Sequence, residues 1–242
     1  RRSGAFFLRR KFTGLRLYSE VFRSYLDVLL TRKHSILFFP EGGRSRTGRL
    51  LGSKPGMLGM TVQSFLSHPD NPVNIVPVYI GYDRVPEVNS YFKEMSGKKK
   101  KQKEGIGGLV RAGKILKSKH GQPYLSYGQP VKLKTWMDQN VADWRTKIAG
   151  EDWQTFLAGG KTPNWFKVAV STLGNHVMSG INAAAVVNPT ALVASILFAS
   201  RQRALGEDEL IDQINLVLQL HQVAPYSSDT IFPMKNAAEI IP

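Results

Sequence analysis

The densest set of groups able to hold an anion lies in Phe38–Arg49, which reads Phe-Phe-Pro-Glu-Gly-Gly-Arg-Ser-Arg-Thr-Gly-Arg. Gly42 and Gly43 allow backbone N–H groups to approach a ligand closely. Arg44, Arg46 and Arg49 offer forked donors that match phosphate oxygens, and Ser45 and Thr47 add hydroxyls. Glu41 is the only carboxylate in the loop, so it is expected to ion-pair with one of these arginines and hold it in place. Arg9, Arg10 and Lys11 are placed to supply further donors. This many donors in one loop suit a small phosphate-bearing ligand, with a solvated basic turn as the plain alternative. Three familiar motifs are absent. There is no G-x-x-x-x-G-K-[ST] and no G-x-G-x-x-G. Ser45 fails G-x-S-x-G because Thr47 stands where the second glycine belongs.

The elements that must position this loop follow from periodicity. Gly4–Leu8 and Ser35–Phe39 are short apolar runs that read as buried strands. Between them Leu17, Val21, Tyr25, Val28 and Leu29 recur at helical spacing, which predicts an amphipathic helix over Leu17–Lys33. A short helix is predicted over Met57–Leu66, a strand over Ile75–Ile80 and another over Tyr124–Tyr127. Pro77 cannot donate to a ladder, so it marks an edge or a bulge. Strand, helix, strand, helix, strand implies an α/β fold with a mixed, largely parallel sheet flanked by helices. The Gly/Arg loop then falls after a strand, where such folds bind ligands.

From Pro163 onward the pattern turns helical. Asn188-Pro189 reads as an N-cap followed by proline at the first helical position. That helix runs through Leu192, Ser195, Ile196 and Phe198 towards Gly206, with Arg201 and Arg203 at its C-terminal end. A last helix opens on Glu207, Asp208 and Glu209 and buries a stripe of Leu210, Ile214, Val217, Leu218 and His221. Residues 168–200 contain no charged side chain. Gly174, Asn175, His176, Gly180, Asn182 and the Asn188-Pro189 break interrupt them, leaving no apolar run of the ~18 residues a span requires. A buried helix pair is expected, with a membrane-surface face as the other reading. The domain organisation is an α/β part over 1–135 and a mainly helical part over 136–242.

Charge narrows the partners. The net charge of +15 resides in two blocks, +10 within residues 1–54 and +8 within residues 93–119. The second holds Lys98, Lys99, Lys100, Lys101 and Lys103, followed by a basic amphipathic stretch around Leu109, Val110, Ile115 and Leu116. It reads as a solvated loop or as a contact for an acidic protein or an anionic membrane surface. Nucleic acid is not expected, because the lysine cluster carries no interleaved aromatics. Trp136, Trp144, Trp153 and Trp165 read as core or interfacial anchors. With no cysteine there is no disulfide, no thiolate nucleophile and no Cys-based zinc site. The five histidines are scattered, so no metal site is expected.

Phe38–Arg49 resembles the third conserved block of glycerol-3-phosphate acyltransferases, F-x-E-G-x-R-S-R. Gly4–Arg10 resembles the second block of that family, and Val73–Val78 (Val-Asn-Ile-Val-Pro-Val) the fourth. The helical C-terminal part, with Ser200-Arg201-Gln202-Arg203, is similar to that of the bacterial membrane-bound members. The resemblance implies transfer of an acyl group from coenzyme A or acyl carrier protein to the sn-1 hydroxyl of glycerol 3-phosphate, giving lysophosphatidic acid. It implies that Arg9, Arg10, Glu41, Gly42, Gly43, Arg44, Ser45 and Arg46 form the glycerol 3-phosphate site. Val76 and Pro77 fall at the acyl-donor site, and no cofactor beyond the acyl co-substrate is implied. Location at the cytoplasmic face of the bacterial inner membrane, peripheral or monotopic, also follows from the resemblance.

One departure is plain. The family's catalytic block is a His followed five positions later by an Asp. Five residues after His34, His68, His120, His176 and His221 stand Phe39, Val73, Leu125, Ile181 and Tyr226. The resemblance therefore implies a catalytic pair in a part of the enzyme upstream of this sequence, and a chain inactive by itself. A membrane-surface or nucleic-acid-binding module without catalysis is the alternative reading.

Overall fold

A computed structural model of the chain describes residues 4, 8–9, 14–43, 45, 48–83 and 121–241. The elements in order are α1 (Arg16–Thr31), α2 (Pro55–Ser67), β1 (Asn74–Ile75), β2 (Val78–Tyr82), β3 (Pro123–Tyr127), β4 (Val131–Lys132), α3 (Leu133–Asn140), α4 (Trp144–Ala149), α5 (Glu151–Leu157), α6 (Asn164–Ala183), α7 (Pro189–Ala199) and α8 (Glu207–Val223). A 3-10 turn covers Ala237–Glu239. The chain forms two compact units. The first takes residues 1–44, 50–75 and 130–178, and the second takes 45–49, 76–129 and 179–242.

In the first unit α1 packs on α2. The expected amphipathic helix is present, but its buried side is not the stripe the spacing suggested. Phe22 and Leu26 are buried, whereas Leu17 and Val21 are 78% and 60% exposed. Helical spacing allowed both stripes, and contact with α2 chose between them. α2 begins on Pro55 at its first turn, where the missing N–H is no loss. It buries six consecutive residues from Thr61 to Leu66. The polar Ser64 among them donates to Asp27 Oδ1 at 2.5 Å, and His68 Nδ1 lies 3.5 Å from the same oxygen. Unpaired buried hydroxyls are costly, and this clamp removes the cost.

The short helices α3 to α5 start well before Pro163, where helix was expected. Each is anchored by one tryptophan, as Trp136, Trp144 and Trp153 are all buried. Trp153 contacts Phe156, Trp165 and Phe166 at centroid separations of 5.3 to 5.5 Å. The tryptophans are thus core anchors. Phe166, Ala169, Val170, Leu173, Gly174 and Val177 form the buried stripe of α6. No helix among the described residues is long and apolar enough to cross a membrane.

The expected parallel sheet is not what forms. Among the described residues there are two two-stranded antiparallel sheets, β1 with β4 and β2 with β3. The parallel assignment rested on Gly4–Leu8, Ser35–Phe39 and Ile75–Ile80 as successive strands joined by helices. Residues 5–7 lie outside the described residues. Ser35–Phe39 joins no ladder among the described residues, and Leu37 and Phe39 are 73% and 72% exposed. The strands that do pair, β1 with β4 and β2 with β3, lie on either side of residues 84–120 and run antiparallel. The predicted strand over Ile75–Ile80 is broken at Pro77, as its missing N–H requires. Ile75 pairs with Val131, while Val78 pairs with Tyr127. The lysine cluster and the basic stretch of 93–119 lie outside the described residues.

In the second unit Pro77 is fully buried, and its carbonyl accepts from Gly128 N–H at 2.9 Å. A methyl group at Gly180 would sit 2.8 Å from the Pro77 ring, so that glycine admits the proline. Leu192, Ile214, Leu218, Met234 and Ala237 form the core joining α7, α8 and the C-terminal turn. The Asn188 cap is realised, its side chain accepting from Ala191 N–H at 2.7 Å. α7 stops at Ala199, so Arg201 and Arg203 lie in the turn beyond it. Arg203 there has a left-handed backbone and stacks over Phe198.

Candidate functional site

The base of the Gly/Arg loop lies in the first unit. Lys54 N–H donates to the Pro40 carbonyl at 2.7 Å, and Leu51 N–H donates to Glu41 Oε2 at 2.7 Å. These two bonds tie the loop's beginning to its end. Among the described residues the Glu41 carboxylate accepts from the Leu51 backbone and so ties the two ends of the loop. The expected ion pair with Arg44 or Arg46 falls outside the described residues.

Gly42 has φ +60, where an L side chain is strained. A methyl there would also lie 2.9 Å from Lys54 Cγ. The Gly42 N–H bonds back to the Phe39 carbonyl at 3.3 Å, so it closes a turn rather than facing a ligand. Gly43 is exposed, and a methyl there would meet the Leu51 side chain at 3.9 Å, an ordinary contact. The Lys54 stem thus runs beside Gly42 at the mouth of the loop. Sequence reasoning passed over this cation. Its signal was the position immediately before Pro55, since the residue flanking a helix start faces the loop that feeds it. Its neighbour in sequence also opens the positive end of the α2 dipole.

Ser53, one residue earlier, touches a second position that sequence reasoning missed. A methyl at Gly174 of α6 would lie 2.2 Å from Ser53 Oγ and 3.0 Å from Ser53 Cβ. Gly174 is what lets α6 lie against the end of the loop. Arg9, also in this unit, is exposed. Its backbone N–H donates to the Tyr18 hydroxyl at 3.2 Å, and its guanidinium lies 5.5 Å from the Tyr18 ring centre. Arg10, Arg44 and Arg46 lie outside the described residues.

Three further predicted positions belong to the second unit. Ser45 is half-buried, and its Oγ has no hydrogen-bond partner among the described residues. Val76 is 42% exposed, while Pro77 beside it is fully buried. Val76 can touch a ligand. Pro77 can act only by setting the backbone. No group of three or more acidic or histidine side chains able to hold a metal occurs among the described residues.

A mixed α/β scaffold carrying a glycine- and arginine-rich loop between helices agrees with the first comparison. Residues 1–81 match the family described as Acyltransferase. Residues 91–241 match the family described as Glycerol-3-phosphate acyltransferase C-terminal region, and the chain belongs to that family. Proteins named glycerol-3-phosphate acyltransferase are similar along nearly all of it. That of Shewanella woodyi is 46% identical over 233 residues, 95% of this chain and 27% of that protein. Those of Colwellia psychrerythraea and Actinobacillus pleuropneumoniae are 42% and 43% identical over 100% and 98% of this chain, and 29% and 28% of those proteins. The chain thus spans between 27% and 29% of the length of these relatives.

Proposed function

We propose that the chain is part of an enzyme that moves an acyl group from a thioester to the sn-1 hydroxyl of glycerol 3-phosphate, giving lysophosphatidic acid in the first step of phospholipid synthesis. The observation that carries this reading is the tied loop, Glu41 to Leu51 and Pro40 to Lys54, in a chain of this family. A loop closed at its base holds its arginines at low entropy cost, which suits recognition of a small dianion.

In this reading Arg9, Arg10, Arg44, Ser45 and Arg46 donate to the phosphate of glycerol 3-phosphate. Glu41, Gly42 and Gly43 shape the loop, and Lys54 adds a cation. Val76 borders the acyl donor, with Pro77 fixing its backbone. The proton of the attacking hydroxyl passes to a His–Asp pair from outside this sequence. The hydroxyl oxygen then forms an ester with the thioester carbonyl carbon, and the thiol leaves. Coenzyme A or acyl carrier protein carries the acyl group, and no further cofactor takes part. The lysines of 98–103 meet an acidic carrier protein or the anionic cytoplasmic face of the inner membrane.

Calorimetric titration of the intact protein with glycerol 3-phosphate tests this. Arg44→Ala is expected to weaken binding about tenfold or more, the scale of one charged hydrogen bond. Unchanged affinity in that variant, or no binding by the parent, would overturn it. The 242-residue chain alone is expected to show no acyl transfer.

A further inference from the structure

The second unit contains a feature that the Gly/Arg loop does not use. A cavity of about 320 Å³ opens between α8 and the segment leading to Phe232. Its walls are mainly apolar, including Val187, Val217, Leu220, Ala224 and Phe232. A neighbouring cavity of about 500 Å³ shares His221, Thr230 and Phe232 with it and reaches Lys235. The two adjoin at the His221–Phe232 stack, whose ring centres are 4.2 Å apart. Lys235 is the one fixed charge among the residues lining either cavity, and no carboxylate lines them. The Glu239 carboxylate accepts from the Lys235 backbone N–H at 3.0 Å.

The apolar surface continues outward along α8. Leu216, Leu220 and Val223 lie at helical spacing and are 53%, 63% and 86% exposed. Such a stripe on the outer side of a helix is unfavourable in water unless something covers it. An apolar trough of this size with polar groups at a few points has the character of a small-molecule site. The stripe from Leu216 to Val223 extends it for about 10 Å along α8, which suits a hydrocarbon chain rather than a compact ring, and a cation at one end selects a negative head group.

We propose that this trough binds the single hydrocarbon chain of an anionic amphiphile, seated along α8 with its head group towards Lys235. The site is independent of the phosphate loop and goes beyond the acyl-transfer reading. The polar groups at its rim, His221, Thr230 and the Asn182–Tyr226 pair hydrogen-bonded at 2.6 Å, leave the chain's polar end solvated.

A photoactivatable diazirine analogue of dodecyl phosphate, used below its micellar concentration on the intact protein, tests the proposal. Crosslinks are expected within residues 182–235, and excess unlabelled dodecyl phosphate should abolish them. Ala224→Trp, at an exposed position on the trough, is expected to reduce capture about tenfold without unfolding the protein. Lys235→Glu should weaken capture of dodecyl phosphate by about tenfold while leaving a dodecanol analogue unchanged. Crosslinks elsewhere, or equal loss for both probes in Lys235→Glu, would overturn it.

Discussion

Replacing Gly174 by alanine sets two magnitudes against each other. In the interior of α6 an alanine is favoured over glycine by about 1 kcal/mol, through backbone entropy. The new methyl would lie 2.2 Å from Ser53 Oγ, 3.0 Å from Ser53 Cβ and 3.5 Å from Leu58 Cδ2. The hydroxyl can rotate away, but Ser53 Cβ belongs to the end of the tied loop and Leu58 is buried in α2. Overpacking of this kind costs about 1–3 kcal/mol. The clash outweighs the helix gain, and Gly174→Ala is expected to destabilise by up to about 2 kcal/mol, lowering Tm by up to roughly 8 °C for a chain of this size. Ser53→Ala in the same background removes Oγ but keeps Cβ, so it should recover only a minor part of the loss. Gly59→Ala is the internal control. It is also helical, but its methyl would meet only Val170 Cγ1 at 3.8 Å, so it should raise Tm. Calorimetric melting of the parent and the three variants and titration with glycerol 3-phosphate provide the assay. Because Ser53 adjoins Lys54, whose N–H closes the loop, affinity should fall with stability in Gly174→Ala. A Gly174→Ala protein that melts above the parent would refute the close approach of α6 to the loop.

Gly42→Ala is expected to cost about 1–2 kcal/mol through its left-handed backbone, and the Lys54 contact adds to this. Weakened glycerol 3-phosphate binding with little change in secondary structure is its signature by titration and circular dichroism. Asn188→Ala removes the cap of α7 and should destabilise by about 1 kcal/mol, read as a shift in urea midpoint. Asp138 is held down to about 2 from its ordinary 3.8 by the Trp144 indole N–H first, then by Arg145 and Lys134. Its contribution to stability is therefore complete above pH 3.8 and lost as pH falls towards 2. In Asp138→Asn that limb of the acid-denaturation curve should disappear, and an unchanged curve would show that the carboxylate stabilises nothing.

Much of the secondary structure was legible because its signals are local. Asn188-Pro189 specifies a cap through one side chain and one ring. Pro77 interrupts a ladder wherever it stands. The stripe of Leu210, Ile214, Val217 and Leu218 on α8 turned inward as its spacing required, with Ile214 and Leu218 buried. On α1 the same reasoning chose the wrong side, because two neighbouring apolar stripes satisfy one periodicity. The short helices α3 to α5 were not individually delineated within the expected helical part, because six to eight residues hold too few turns to show a period. Ser35–Phe39 has a strand's composition, but a strand needs a partner, and composition supplies none.

The loop's chemistry was written in residue types, since arginines, glycines and a lone carboxylate in one short stretch suit an anion in almost any fold. By itself the sequence determined that loop, the break at Pro77, the cap at Asn188 and the family resemblance. These depend on groups within a few residues of one another. Tertiary structure alone decided that Glu41 binds the Leu51 backbone, that Lys54 flanks Gly42, and that Gly174 and Gly180 are spaces for Ser53 and Pro77. It also decided that the strands pair antiparallel. Each of these is a contact across a distance in sequence, set by packing that no local pattern encodes.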